Sequence, residues 1–154
     1  MEKIKSTKIC IAASAGGHLK EILQLAPFYN KYDHYFVTLN RPDGTDLAKR
    51  EKVFFVECPA RNPIKLLKNF TQSYSIFIKQ KPDIVISTGA DTALVTCYLA
   101  KLFGKKVIYI ESYCRPTKPS ITGQLVYPIA DLFIYQWKEM EKYYPKGVLG
   151  GSIF

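Results

Sequence analysis

The strongest constraint in the sequence is a repeated passage: a short apolar run, a break at small or turn-forming residues, then a segment of helical spacing. Its first instance is "KICIAASAGGHLKEILQL", from Lys8 to Leu25. Lys8–Ser14 reads as a buried strand closed by small residues. His18–Tyr29 then reads as a helix with Leu19, Ile22, Leu23 and Ala26 on one face. Tyr35–Leu39 and Val53–Val56 are further strands rich in aromatic and β-branched residues, with turn chemistry in "NRPDGTD" between them. Pro63–Lys81 is a long amphipathic helix, opened by Pro63 and stopped by Pro82. "DIVIS", Asp83–Ser87, is the next strand, and "TGADT" leads from it into a helix over Asp91–Phe103 with Gly104 as its cap. Strands at Lys106–Ile110 and Leu132–Tyr135 follow. Helices are expected near Gln124–Ile129 and Trp137–Tyr143, and Val148–Leu149 is a last short strand.

Strands that are apolar on both faces and alternate with helices require a sheet covered on both sides. The expectation is an α/β chain with a Rossmann-like, doubly wound, mostly parallel sheet, forming one domain over residues 1–154. A chain of 154 residues suffices for one sizeable core. In such sheets, ligands bind beyond the carboxyl ends of the strands. No apolar run approaches the ~18 residues of a spanning helix, and the opening "MEKIKSTK" leads into a strand rather than forming a signal peptide.

Two glycine-bearing breaks therefore face one crevice. "SAGGH" opens the first helix, and a helix N-terminus presents unpaired N–H groups to an anion. Ser14, Gly16 and Gly17 there, with Thr88 and Gly89 of "STGADT", are candidates to hold a phosphate or diphosphate. The plainer reading is a tight strand–helix turn in which glycine relieves crowding. Thr88 or Asp91 is a candidate cap for the second helix. The P-loop pattern GxxxxGK[ST] is absent, and the dinucleotide fingerprint GxGxxG fails because the two glycines are adjacent. A stand-alone nucleotide- or NADP-binding enzyme remains the alternative, with Arg41 available to a 2′-phosphate.

The chain has two histidines, and His18 falls at this break. It can accept a proton near neutral pH, or it can be a locally bonded histidine at a helix start. Glu111 ends the "KVIYI" strand at the same edge. It is a second candidate base, or else a salt-bridge or capping group. No DxD pair, HExxH or Cys/His cluster suggests a metal. The net charge of +9 favours an acidic partner or marks a solvated basic surface. No nucleic-acid motif accompanies it. Four cysteines without a CxxC pair read as reduced thiols in a cytosolic protein.

The segment "YIESYCRPTKPSITGQLVYPIADLFIYQWKEMEKYYPKGVLGG", together with "SAGGHLKE" and "STGADTALVTCYLAKLFGKKVIYIES", resembles one family along nearly the whole chain. Glu111-Ser112, Cys114-Arg115, Thr122-Gly123, Ala130-Asp131, Gln136-Trp137 and Tyr144-Pro145 carry the match. That family is the acceptor-side subunit of the two-subunit N-acetylglucosaminyltransferase acting on dolichol diphosphate sugars, with its bacterial capsule and exopolysaccharide counterparts. More distantly the chain is similar to the N-terminal half of the transferase that makes lipid II.

The resemblance implies the N-terminal half of a GT-B glycosyltransferase. It implies an inverting transfer from a UDP-sugar to a polyprenyl-diphosphate-linked saccharide, without a metal or other cofactor. Because the sequence ends at Phe154, the donor-binding half is expected on a separate polypeptide. His18 matches the histidine after the paired glycines in relatives. Trp137, Gly150, Gly151, Ile153 and Phe154 are expected to dock that partner. Eukaryotic members carry an N-terminal membrane anchor, and this chain is expected to have none. The Pro63–Lys81 helix is a candidate substitute, with Ile64, Leu67 and Phe70 against lipid and Arg61, Lys65 and Lys68 at anionic head groups. The alternative is that this face packs in the core. The expected location is the cytoplasm, peripheral on the cytoplasmic face of the membrane.

Overall fold

A computed structural model describes the backbone of residues 4–154 and the side chains of residues 7–154. The opening "MEK" lies outside the described residues. One seven-stranded sheet has the order β3-β2-β1-β4-β5-β6-β7, and every neighbouring pair is parallel. The strands are β1 (Ile4–Ala13), β2 (Tyr32–Thr38), β3 (Val53–Phe55), β4 (Ile84–Gly89), β5 (Lys106–Ile110), β6 (Leu132–Tyr135) and β7 (Val148–Leu149). This is the doubly wound α/β arrangement expected from the alternation of strand and helix.

Period-2 alternation divides the core between the two faces. Ile9, Ile11 and Ala13 of β1, with Phe36 and Ile86, pack under Leu19 and Ile22 of α1 (Gly17–Leu23) and Leu47 of α3 (Pro42–Leu47). Cys10 and Ala12, with Val85, Val107 and Tyr109, face Phe77 of α4 (Pro63–Gln80), Cys97 of α5 (Asp91–Leu102) and Val126 of α6 (Ile121–Val126). Complete burial pushes the Cys10 and Cys97 thiols up to about 12, so both behave as small apolar side chains.

Several strand limits shift by one to four residues, and four helical or turn segments differ more from expectation. The first helix is interrupted: α1 ends at Leu23, and a separate α2 (Ala26–Tyr29) starts with Pro27 in its first turn. Proline has no N–H to continue the α1 ladder. "NRPDGTD" is not merely a turn. Arg41 is extended, Pro42 opens α3, and Asp43 sits in its first turn, the usual chemistry of a helix start. α6 starts at Ile121 because the Ser120 side chain accepts from the Gly123 N–H at 2.8 Å. The segment after Trp137 forms only a 3-10 turn over Lys138–Met140.

α4 ends cleanly at Lys81, which takes a left-handed conformation (φ 50°, ψ 59°) before Pro82. Its inward face is unusual. Asn69, Ser73 and Phe77 are buried, whereas Ile64, Leu67 and Phe70 are 79%, 63% and 46% exposed. The alternative that these three pack in the core is therefore excluded. No helix among the described residues is long and apolar enough to cross a membrane.

Candidate active site

Strand order reverses between β1 and β4. In open parallel sheets the ligand crevice forms at such a switch point. A crevice of about 640 Å³ opens there. Its walls include Gly17, His18 and Glu21 of α1, Arg61 before α4, and Ser112 and Arg115 after β5. Backbone strain gathers at its rim. Ala60 and Arg61 have φ of 46° and 57°, and Ala90, the residue before α5, has φ 69° and ψ 159°. The last is a region that residues other than glycine rarely occupy.

His18 is held from both ends. Its ring Nδ1 donates to the Thr88 carbonyl at 2.9 Å, and the Thr88 hydroxyl donates to the His18 carbonyl at 2.7 Å. A carbonyl can only accept, so Nδ1 carries the proton and Nε2 of the neutral ring has its lone pair free. Gly89 allows this packing. At φ +115°, a Cβ there would lie 2.7 Å from the Tyr109 hydroxyl and 3.4 Å from the His18 ring.

This arrangement corrects part of the expected phosphate cradle. Thr88 is fully buried and serves His18, while the Gly89 N–H is taken by the Ser87 hydroxyl at 3.0 Å. Both lie behind the histidine rather than facing a ligand. The Gly16 N–H is taken by the Asp43 carboxylate from α3, which also disfavours an anion at that point. Ser14 is half-buried and Gly17 exposed. A Cβ at Gly16 or Gly17 would meet nothing within 4 Å, so crowding does not explain the paired glycines. Neither Thr88 nor Asp91 caps α5. Asp91 instead accepts from the Ala60 N–H at 3.0 Å and ties the Arg61 loop to the crevice.

Glu111 also departs from expectation. It is 1% exposed, and its carboxylate accepts from the Ser112 N–H (3.0 Å), the Ser120 N–H (3.1 Å), the Ser120 hydroxyl (2.7 Å) and the Tyr144 hydroxyl (2.6 Å). A carboxylate has about four acceptor positions, and here the protein fills them all. Glu111 is the knot that holds the 112–120 loop and Tyr144 together, and it does not face the crevice. Gly123 is required beside it, because a Cβ there would collide with the carboxylate and with the Tyr144 hydroxyl.

The crevice carboxylate that sequence reasoning missed is Glu21. Its Oε1 accepts from the Tyr113 N–H at 2.7 Å and the Ser112 hydroxyl at 3.1 Å. Burial holds its carboxyl above the ordinary range, opposed by those two hydrogen bonds and by His18. The signal was available in "GGHLKE", where His18 and Glu21 stand three apart and so share a helix face.

The tail folds back toward the same loop. The Trp137 indole N–H donates to the Tyr113 carbonyl at 2.7 Å, and the Tyr113 ring lies against both Trp137 and Phe154. The Ile153 N–H donates to the Gln136 side chain at 2.8 Å. Gly150 continues the β6–β7 edge by donating to the Tyr135 carbonyl at 2.9 Å, and Gly151 follows with φ +75°. Phe154 remains 64% exposed.

Among solved structures, the fold is shared with MurG of Acinetobacter baumannii (TM-score 0.69, 16% identity, 86% of this chain and 42% of that one). It is shared equally with a UDP-N-acetylglucosamine 2-epimerase of Rickettsia bellii (TM-score 0.77, 14% identity, 96% of this chain and 45% of that one). This chain spans less than half of either protein. The sheet order and the crevice at its switch point define the class as a Rossmann-like α/β fold of the kind these neighbours contain. Residues 56–153 match the family described as "Oligosaccharide biosynthesis protein Alg14 like". The UDP-N-acetylglucosamine transferase subunit ALG14 of Mus musculus is 30% identical over 97% of this chain and 84% of its own length. The corresponding subunit of Yarrowia lipolytica is 25% identical over 98% of this chain and 83% of its own length. The chain belongs to the Alg14-like family.

Proposed function

We propose that this chain is the acceptor-binding subunit of a heteromeric, inverting glycosyltransferase that extends a polyprenyl-diphosphate-linked saccharide from a UDP-sugar. The observation that carries this reading is His18, an imidazole whose Nδ1 is occupied by Thr88 and whose Nε2 is free in a crevice at the switch point. His18 Nε2 takes the proton of the acceptor hydroxyl. The hydroxyl oxygen forms its bond to the anomeric carbon as that carbon's bond to the UDP oxygen breaks, and UDP leaves with the electron pair. The imidazolium then returns its proton to solvent. General base catalysis of this kind supplies ~10²–10⁴-fold, with positioning supplying much of the rest.

Arg61 and Arg115, both in the crevice wall, supply the positive charge for the acceptor diphosphate. Of the first glycine break, Gly17 lines the crevice and leaves its backbone open to the same ligand. The UDP-sugar is a substrate delivered by the partner. The relatives' designation as transferase subunits supports a separate donor-binding polypeptide, and the 137–154 aromatic edge with exposed Phe154 is the surface offered to it. Ile64, Leu67 and Phe70, exposed and interleaved with Lys65 and Lys68, hold the subunit at an anionic membrane surface, and Arg61 stands at the base of that helix. The cytoplasmic face is where UDP-sugars meet such lipids on this reading.

Replacing His18 with Ala tests the assignment. With the partner present, transfer should fall by about 10²–10⁴-fold while partner binding is kept. Near-normal turnover would remove His18 from the chemistry.

A further inference from the structure

The crevice contains one buried ionisable side chain to which the proposed transfer gives no part. Glu21 is 2% exposed, yet it lies in the crevice wall beside His18. One oxygen is fixed by Tyr113 and Ser112, while Oε2 is buried with no hydrogen-bond partner among the described residues. A fold has no structural reason to keep a carboxylate oxygen in that state, because a buried unpaired polar atom is destabilising. Such groups are found where a site needs them. His18 supplies the need. Its Nδ1 rests on a neutral carbonyl, so nothing bonded to the ring balances the positive charge that forms when Nε2 takes a proton.

We infer that Glu21 is a positioning residue whose buried carboxylate stabilises the His18 imidazolium through space while its other oxygen pins the loop after β5 against α1. This rests on the reading of His18 as the base. The groups facing Glu21 are consistent with it. His18, on the same helix, attracts its negative charge, while Glu111, at the end of β5, opposes it. Cys114 and Arg115 of the following loop, with Arg61 and Asp91, line the same crevice. Tyr113 links this carboxylate to the Trp137–Phe154 edge, so the loop that orients Glu21 is also the loop beside the proposed partner surface.

The test is Glu21→Gln, which keeps the shape and an acceptor for Tyr113 and Ser112 but removes the charge. Only His18 and His34 contribute imidazole signals, so NMR titration of the full chain reads His18 directly, with His34 as the control. The His18 titration midpoint should fall by about half a unit or more, the expected size for a charge three residues away on a helix face with partial screening. The His34 midpoint should not move. In the complex with the donor-binding partner, kcat should fall about three-fold for each half-unit by which the midpoint moves, with little change in acceptor KM. The acid limb of the rate profile should move to lower pH. Thermal stability at neutral pH should hold or rise. An unmoved His18 midpoint, or a loss of activity that only parallels a loss of stability, would overturn the inference. If His18→Ala kept full transfer while Glu21→Gln still moved the His18 midpoint, the base assignment would fall and the electrostatic coupling would stand.

Discussion

If Glu111 is a structural knot, dismantling it should cost stability before it costs chemistry. Tyr144→Phe removes one hydroxyl, 2.6 Å from the carboxylate and belonging to a fully buried ring. Burial and that hydrogen bond hold the Tyr144 hydroxyl above the usual tyrosine range, so the proton stays on the tyrosine and the bond is a donation to Glu111. A hydrogen bond to a charged group contributes about 1.5–3 kcal/mol net. At about 2–4 °C per kcal/mol for a domain of this size, Tm should drop by about 3–12 °C. Glu111→Ala removes all four acceptor contacts and strands the Tyr144 and Ser120 donors in the interior. It should cost about 3–5 kcal/mol, a large share of a typical total of ~5–15. Circular dichroism melts of the purified chain give both values. Transfer by the reconstituted complex, assayed well below the lower midpoint, should stay within about three-fold of wild type for Tyr144→Phe. The reasoning fails if Glu111→Gln melts like wild type yet abolishes transfer, for then Glu111 belongs to the reaction.

Three further outcomes follow from particular residues. Changing Ile64, Leu67 and Phe70 together to Ser should leave stability nearly unchanged, because exposed side chains contribute within about 0.5 kcal/mol. Sedimentation with anionic vesicles should nevertheless fall by more than about 100-fold, since each apolar side chain inserted contributes about 1.5–3 kcal/mol. Ala90→Gly should raise Tm by about 2–12 °C by relieving strain of order 1–3 kcal/mol at φ 69°; a drop would mean that the Ala90 methyl packs favourably. Burial raises the Glu21 pKa in the folded chain, so the folded state binds that proton more tightly than the unfolded state. Stability should therefore decline as pH rises from the ordinary carboxyl range through the raised value. In Glu21→Gln that part of the decline should vanish from urea titrations run across that window.

The sheet was legible because its strands are apolar on both faces and alternate with segments of helical spacing. Lys106–Ile110 and Leu132–Tyr135 have the expected limits. What failed was local. Pro27 inside a helical pattern and Pro42 before Asp-Gly are both start signals, and their effect depends on whether a helix can pack there. His18 was legible as the one histidine at a strand–helix break. Glu111 was misread because its position at a strand end is the same for a ligand-facing group and a buried anchor. Its four donors come from residues as distant as Tyr144, which no local pattern reveals. Glu21 was overlooked for the opposite reason. Mid-helix glutamates are usually solvated, and its burial is created by Ser112 and Tyr113, ninety residues away in the chain. The α4 face was ambiguous because an amphipathic helix shows which residues lie together but not which side is inward. Here the inward side is Asn69 and Ser73, with the Asn69 amide donating to the Glu57 carbonyl at 2.7 Å.

The central claim is that this crevice holds a lipid diphosphate saccharide while another polypeptide brings the activated sugar. The most direct measurement mixes the purified chain, a separately purified donor-binding half and a polyprenyl-diphosphate-linked sugar with a radiolabelled UDP-sugar, and follows label into the lipid phase. Label should appear only when both polypeptides are present and should be lost with His18→Ala. Transfer by this chain alone, or by the other half without it, would contradict the account.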